Sequence, residues 1–150
     1  MAPIDFTVTH RFAAAPRAVW DQMIDWPSHA NWIPATRMEV DSSDYQVEGA
    51  TFTGYTGFGK LALVDRMAIS AIGWDDATER GSCEVEKLGP VLEGRAGFVV
   101  SPDGDGASVE WFEKVTVPYL PKVLAPLVSK ASALGFAFGM RRLAKIVEKR

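Results

Sequence analysis

Residues 81–118 read GSCEVEKLGPVLEGRAGFVVSPDGDGASVEWFEKVTVP, and this stretch decides the fold. Three strand-like runs, Gly81 to Leu88, Leu92 to Ser101 and Ala107 to Val117, are separated by Gly89-Pro90 and by Asp103-Gly104-Asp105-Gly106. Both separators are strong turn signals, and connections this short join antiparallel neighbours. The same pattern continues upstream in Thr36 to Ser42, Ala50 to Gly59 and Leu61 to Ile72, the last closed by Asp75-Asp76-Ala77-Thr78. From Thr36 to Pro118 the chain therefore reads as an antiparallel meander of about six strands. Gly54, Gly57 and Gly59 interrupt the second run, and glycine within a strand predicts a bulge or bend, as in a sheet that wraps around something.

Toward the N-terminus, Ile4, Phe6, Val8, His10 and Phe12 alternate with Asp5, Thr7, Thr9 and Arg11, the period of a further strand with one face on a core. Pro16 opens a helical stretch in which Val19, Trp20, Met23 and Ile24 share a face. It stops before Pro27. Ser28 is placed to cap a second short helix carrying Ala30, Trp32 and Ile33, which Pro34 ends. Toward the C-terminus, Val123 to Lys149 reads as one long helix, bent or restarted near Pro126. Leu124, Leu127, Ala131, Leu134 and Phe138 form its expected core stripe, and Val128, Gly135, Phe136 and Met140 widen it beyond one contact surface.

The chain has 150 residues, 47% of them hydrophobic, enough for a single domain over 1–150 with one sizeable core. There is no internal repeat, linker or low-complexity segment. The net charge of -3 argues against nucleic acid as a main partner, which needs a basic stripe. Arg141, Arg142, Lys145, Lys149 and Arg150 read as the solvated last turns of a helix, where cations complement the macrodipole. Val123 to Met140 is about long enough to span a bilayer, but Lys130 in its middle favours a buried helix over membrane insertion. The start of the chain lacks a basic, then apolar, secretory signal, which leaves the cytoplasm as the expected compartment. Cys83 is the one cysteine and reads as a small buried hydrophobe. With only His10 and His29 and no cysteine partner, no metal centre is expected. Hydrolase elbows, phosphate loops and dinucleotide fingerprints do not occur either, so no cofactor is expected.

The element order, one strand, two short helices, six strands and a long closing helix, resembles the helix-grip architecture of the START-like, or SRPBCC, superfamily, including its polyketide cyclase/dehydrase-type proteins. Ala15-Pro16-Arg17-Ala18-Val19-Trp20, followed by Trp26 and Trp32-Ile33-Pro34, is similar to that family's first-helix signature. Phe52 to Gly57, Asp65-Arg66-Met67, Lys87-Leu88-Gly89-Pro90 and Trp111-Phe112-Glu113 resemble motifs of its uncharacterised bacterial branch. The resemblance covers the whole chain and implies an α+β fold in which a curved seven-stranded antiparallel sheet grips the long helix around an apolar cavity. It does not fix a substrate, because the family hosts carriers, receptors and cyclases.

Strand parity then marks the residues that could carry chemistry. It groups His10 with Phe6, Val8 and Phe12; Asp65 with Leu61, Leu63, Met67 and Ile69; and Glu113 with Val109, Trp111, Val115 and Val117. Either these two carboxylates point at an apolar interior, where each must be hydrogen-bonded, paired with a cation, or protonated, or they lie near strand ends and reach solvent, or a bulge reverses the parity. His10, Arg141 or Arg142 are the expected partners, since Arg66 and Arg95 face outward. His10 itself either bonds a neighbour near the sheet's end or serves as a ligand contact or acid/base group. Trp32, where such folds have a cavity mouth, is the readiest ligand contact, while Tyr55 either donates its phenolic hydrogen into the cavity or lies on the surface. Met67, Phe98 and Trp111 from the strands and Leu127 and Phe138 from the helix complete the expected wall. Three functions remain open: binding or transport of a hydrophobic small molecule, an aromatase/cyclase or dehydratase using His10, Asp65 and Glu113, and an interaction or toxin-like regulatory protein that docks by the helix surface. Either a monomer or a homodimer fits.

Overall fold

The computed structural model describes residues 2–57 and 62–149. Gly59 and Leu61, read above as parts of two strands, lie outside them. Strands β1 (Ala2–Phe12), β2 (Thr36–Val40), β3 (Thr51–Thr56), β4 (Leu63–Asp75), β5 (Arg80–Leu88), β6 (Glu93–Asp103) and β7 (Gly106–Val117) form one antiparallel sheet in the order β1-β7-β6-β5-β4-β3-β2. The meander is therefore sequential, and the first strand closes its far edge by pairing with the last. Helix α1 (Pro16–Met23) and a 3-10 turn (Trp26–Asn31) follow β1; helix α2 (Ala125–Val147) closes the chain after a 3-10 turn at Lys122–Leu124. Pro126 sits in the first turn of α2, where a missing N–H costs nothing. This is the helix-grip arrangement expected from the element order.

Alternation builds the core. Ile4, Phe6, Val8 and Phe12 of β1, Cys83 and Val85 of β5, Ala96, Phe98 and Val100 of β6, and Val109, Trp111 and Val115 of β7 are all buried on the face toward α2. The one register shift in β4 falls between Ile69 and Ala71, beyond Asp65 and Met67, so their parity is kept. Gly94 shows why a glycine stands in β6: its φ is +134°, and a Cβ there would lie 2.2 Å from the Lys114 carbonyl oxygen. Cys83 is buried, and burial pushes its thiol up to about 12, so it stays an inert thiol.

Two local expectations need correction. The second short helix starts at Trp26, not after Ser28; the Ser28 hydroxyl instead donates back to the Asp25 and Gln22 carbonyls. The larger correction concerns α2. Leu127 and Phe138 are 66% and 49% exposed, and Leu124 and Leu134 are exposed with them. The buried face is Ala125, Gly139, Met140, Leu143 and Val147, with Val128 and Phe136 half-buried beside it. Gly139 decides the rotation: its side with no side chain lies against Trp32, where a Cβ would come 3.1 Å from the carbonyl oxygen. The helix is apolar on both sides, so periodicity alone could not choose between them.

Candidate functional site

Between the sheet and α2 lie two adjoining chambers. The inner one, of about 70 Å³, is walled by Trp26, Phe52, Met67, Phe98 and Trp111 among others, and also by His29, Asp65, Lys87 and Glu113. The outer one, of about 320 Å³, is lined by Ile4, Leu63, Leu92, Val115, Leu120, Val128 and Ser132. Thr56, Asp65, Glu113 and Phe136 line both and so stand at their junction. The outer volume falls within the usual range for small-molecule sites; the inner one is too small for more than a compact group.

Asp65 and Glu113 are there as strand parity requires, and a lysine joins them. Lys87 Nζ lies 2.5 Å from Asp65 Oδ2, 3.9 Å from Glu113 Oε1 and 3.2 Å from Met67 Sδ, with only 4% of its side chain exposed. Asp65 and Lys87 come from paired strands, since Lys87 sits opposite Met67 in the β4–β5 register. Glu113 is reached across β6, where its partner is the small Ala96. Burial alone would lower the Lys87 pKa, but Glu113 and Asp65 outweigh it, and the ammonium is held above its ordinary value. Burial raises Glu113; Lys87 opposes that rise and Asp65 adds to it, so Glu113 takes up its proton above the normal carboxylate range. Two carboxylates thus share one ammonium, and Asp65 Oδ1, buried, has no protein partner.

His29 is fully buried, and burial pulls it down to about 4 against the opposing bond to Met23, leaving it neutral. Its Nε2 lies 2.7 Å from the Met23 carbonyl oxygen. That oxygen only accepts, so Nε2 carries the hydrogen and Nδ1 is a bare acceptor with no protein partner. Trp26 stacks on Phe52 at 4.5 Å and is fixed by donating Nε1–H to the Tyr45 carbonyl.

Asp65, Glu113, Met67, Phe98 and Trp111 thus gather on the cavity wall, whereas five other sequence candidates lie elsewhere. His10 does face α2, but at the far end of β1, where its ring packs edge-on against Phe12 and Glu148 and Arg141 are the charges that act on it. Parity gave its face and not its depth. Trp32 is wholly buried between His29 and Trp111 and lines neither chamber. Tyr55 projects from the other face of β3, under the Arg37 guanidinium at 4.1 Å. Leu127 and Phe138 point outward, as described. The expected partners of the carboxylates also give way: Arg142 donates to the Asn31 carbonyl, and Lys87 takes their place. Lys87, His29 and Trp26 are cavity residues that the sequence reading passed over. For Lys87 the signal was present, because Cys83, Val85 and Lys87 alternate on one face. Among the described residues no group of three or more His, Cys, Asp or Glu side chains is placed to hold a metal ion.

A seven-stranded sheet gripping a C-terminal helix over a largely apolar cavity with a charged cluster in its wall defines a START-like helix-grip protein. The chain belongs to the polyketide cyclase/dehydrase and lipid transport family, whose model matches residues 3–148. Both parts of that description concern small, largely hydrophobic molecules. Among solved structures, a Thermus thermophilus protein is similar at 15% identity over 97% of each chain, with a TM-score of 0.72. A STAR-related lipid transfer protein from Xanthomonas axonopodis is 14% identical over 96% of this chain and 85% of that one, with a TM-score of 0.70. A Chromobacterium violaceum protein is 16% identical over 96% of each chain, with a TM-score of 0.67. At these identities the likeness is one of fold. No curated protein matches the sequence.

Proposed function

We propose that this protein binds or carries a hydrophobic small molecule, lipid, isoprenoid or polyketide-like, as a single domain acting in the cytoplasm without nucleic acid or membrane insertion. The observation that carries this reading is the Asp65–Lys87–Glu113 cluster at the junction of two otherwise apolar chambers. Apolar burial supplies affinity, and a few convergent polar groups fix orientation. The family description and the lipid-transfer name of one structural neighbour support the ligand class. Organic extraction of the purified protein, followed by mass spectrometry, tests the reading. A stoichiometric hydrophobic compound, lost when Ala96→Leu fills the inner chamber, is expected; an empty extract, with no hydrophobic probe bound, would overturn it.

One observation favours a second reading. Burial, with Asp65 beside it, raises the Glu113 pKa against the opposing pull of the Lys87 ammonium, and a carboxyl that holds its proton more tightly suits a general acid. An aromatase/cyclase or dehydratase could use Glu113 and Asp65 in this way. Turnover of a poly-β-keto substrate analogue that Glu113→Gln abolishes while leaving binding intact would establish it.

A further inference from the structure

Helix α2 is apolar on two sides, and the core uses only one of them. On the outward side Leu127, Leu134 and Phe138 are exposed in one row, about 16 Å of helix from the first to the last. The segment leading into the helix adds Tyr119, 83% exposed, and Val123, 82% exposed. Of the ten large hydrophobic side chains exposed among the described residues, six lie between Tyr119 and Phe138, so the exposure is concentrated on one surface. A contiguous apolar surface of this kind marks a place of contact.

The same surface is cationic. Lys122, Lys130, Arg141 and Lys145 are exposed, and none is in an ion pair among the described residues. Residues 118–150 hold seven Lys and Arg against a single acid, Glu148, whose Oε2 accepts the Ala13 N–H. That segment therefore carries +6, and residues 1–117, in a chain of net charge -3, carry -9. Nucleic acid would meet the cations but leave the leucines and the phenylalanine without a partner. A second copy packed on this face would desolvate the cations with no acid of the face to neutralise them. A bilayer containing anionic lipid meets both features at once: the acyl boundary takes the apolar row, and headgroup phosphates take the Lys and Arg ends.

From these two features we infer that the outward face of α2 docks in plane onto an anionic phospholipid bilayer. The helix lies on the membrane and does not cross it. Residues 122–147 are long and apolar enough to span, but Ala125, Gly139, Met140, Leu143 and Val147 are committed to the protein core. The other side of the same helix, through Val128, Ser132 and Phe136, walls the outer chamber. Docking thus brings that chamber within one helix diameter, about 10 Å, of the lipid. A carrier that takes its ligand from a bilayer requires this relation, and the inference rests on the carrier reading above for its purpose.

Sedimentation of the full chain with vesicles at pH 7 and low salt decides it, comparing phosphatidylcholine alone with phosphatidylcholine containing about 30% phosphatidylglycerol. With a net charge of -3 the whole chain should be repelled by the anionic vesicles. We expect the reverse, partition at least about tenfold tighter than onto phosphatidylcholine, each Lys or Arg near such a surface contributing about fivefold. Added salt at about 0.5 M should remove most of that preference. Leu127→Ser with Phe138→Ser should weaken binding at least about tenfold, and Lys130→Glu with Lys145→Glu should cut the anionic preference to about twofold or less. No binding to anionic vesicles, equal binding to both kinds, or binding that Leu127→Ser with Phe138→Ser leaves unchanged overturns the inference. So does a dimer in light scattering that the same double variant dissociates, which assigns the face to a second copy. The cavity reading is untouched by these outcomes, since it stands or falls on the extracted ligand. The vesicle comparison in the unaltered protein holds even if a variant does not fold.

Discussion

Replacing Lys87 by methionine is the sharpest test of the buried cluster. The substitution keeps most of the side-chain volume beside Met67, so packing is little changed and the loss is that of the charge. Lys87 has 4% of its side chain exposed, and it is the only cation within salt-bridge distance of Asp65 and Glu113 among the described residues. Without it, two carboxylates face an apolar cavity and each other. Removing one partner of a buried ion pair costs about 3–5 kcal/mol, because the remaining charge is uncompensated. Against a domain stability of about 5–15 kcal/mol this is a large share. Replacing the whole cluster, Lys87→Met with Asp65→Asn and Glu113→Gln, removes charge together with its desolvation and should recover most of the loss. The pH dependence has a defined sign. A carboxylate whose folded pKa is raised stabilises the fold below its unfolded pKa and loses that contribution as pH rises through the folded value. The K87M defect should therefore be largest at neutral pH and shrink on acidification toward the ordinary carboxylate range. Urea unfolding monitored by far-UV circular dichroism, at several pH values for the three proteins, measures this. A K87M cost below about 1 kcal/mol that does not vary with pH would refute the reasoning.

Other expectations follow from single residues. The fall of His29 from 6.5 to about 4 means that neutral His29 supports the fold above pH 6.5 and that this support is lost as pH falls through about 4. At about 1.4 kcal/mol per tenfold change in proton affinity the loss is about 3 kcal/mol, and in His29→Gln acid unfolding curves should lack it. Alkaline titration should show Lys87, held above its ordinary value, stabilising the fold up to about pH 10.5 and ceasing to do so at higher pH; lysine amine signals followed by NMR would report it. Gly94→Ala should destabilise by about 2 kcal/mol or more, because its Cβ would meet the Lys114 backbone, which cannot yield as a side chain could; thermal melts check this. Leu127→Ser and Phe138→Ser, on the outward side of α2, should change unfolding free energy by no more than about 0.5 kcal/mol, whereas Leu143→Ala should cost about 2–5 kcal/mol.

Much of the fold could be read because sequence and structure share a period. Alternation in β1 and β7 and the turns at Asp103–Gly106 and Asp75–Thr78 fix strand number, direction and facing. That same period carried Asp65, Met67, Trp111 and Glu113 to the cavity wall. It could not give depth along a strand, which is why His10 shares the right face yet lies under the far end of α2. Lys87 was passed over although its parity with Cys83 and Val85 is plain, because a lysine looks like a solvent residue until two carboxylates are seen opposite it. His29 and Trp26 lie in a 3-10 turn too short to show a period. In α2, apolar residues on both sides left the choice of face to Gly139 and its close approach to Trp32, a tertiary contact with no local trace.

All three charges of the cluster are carried by strands; α2 gives the cavity only uncharged side chains, such as Val128, Ser132 and Phe136. Strands paired on both sides hold side chains more precisely than loops do. The charges are therefore set by the sheet alone, whereas the space around them is bounded by sheet and helix together. Substitutions at Val128, Ser132 or Phe136 can widen or narrow the space while the charge geometry of β4, β5 and β7 is untouched. The helix can thus change the shape of the space without disturbing the strands that carry the charges.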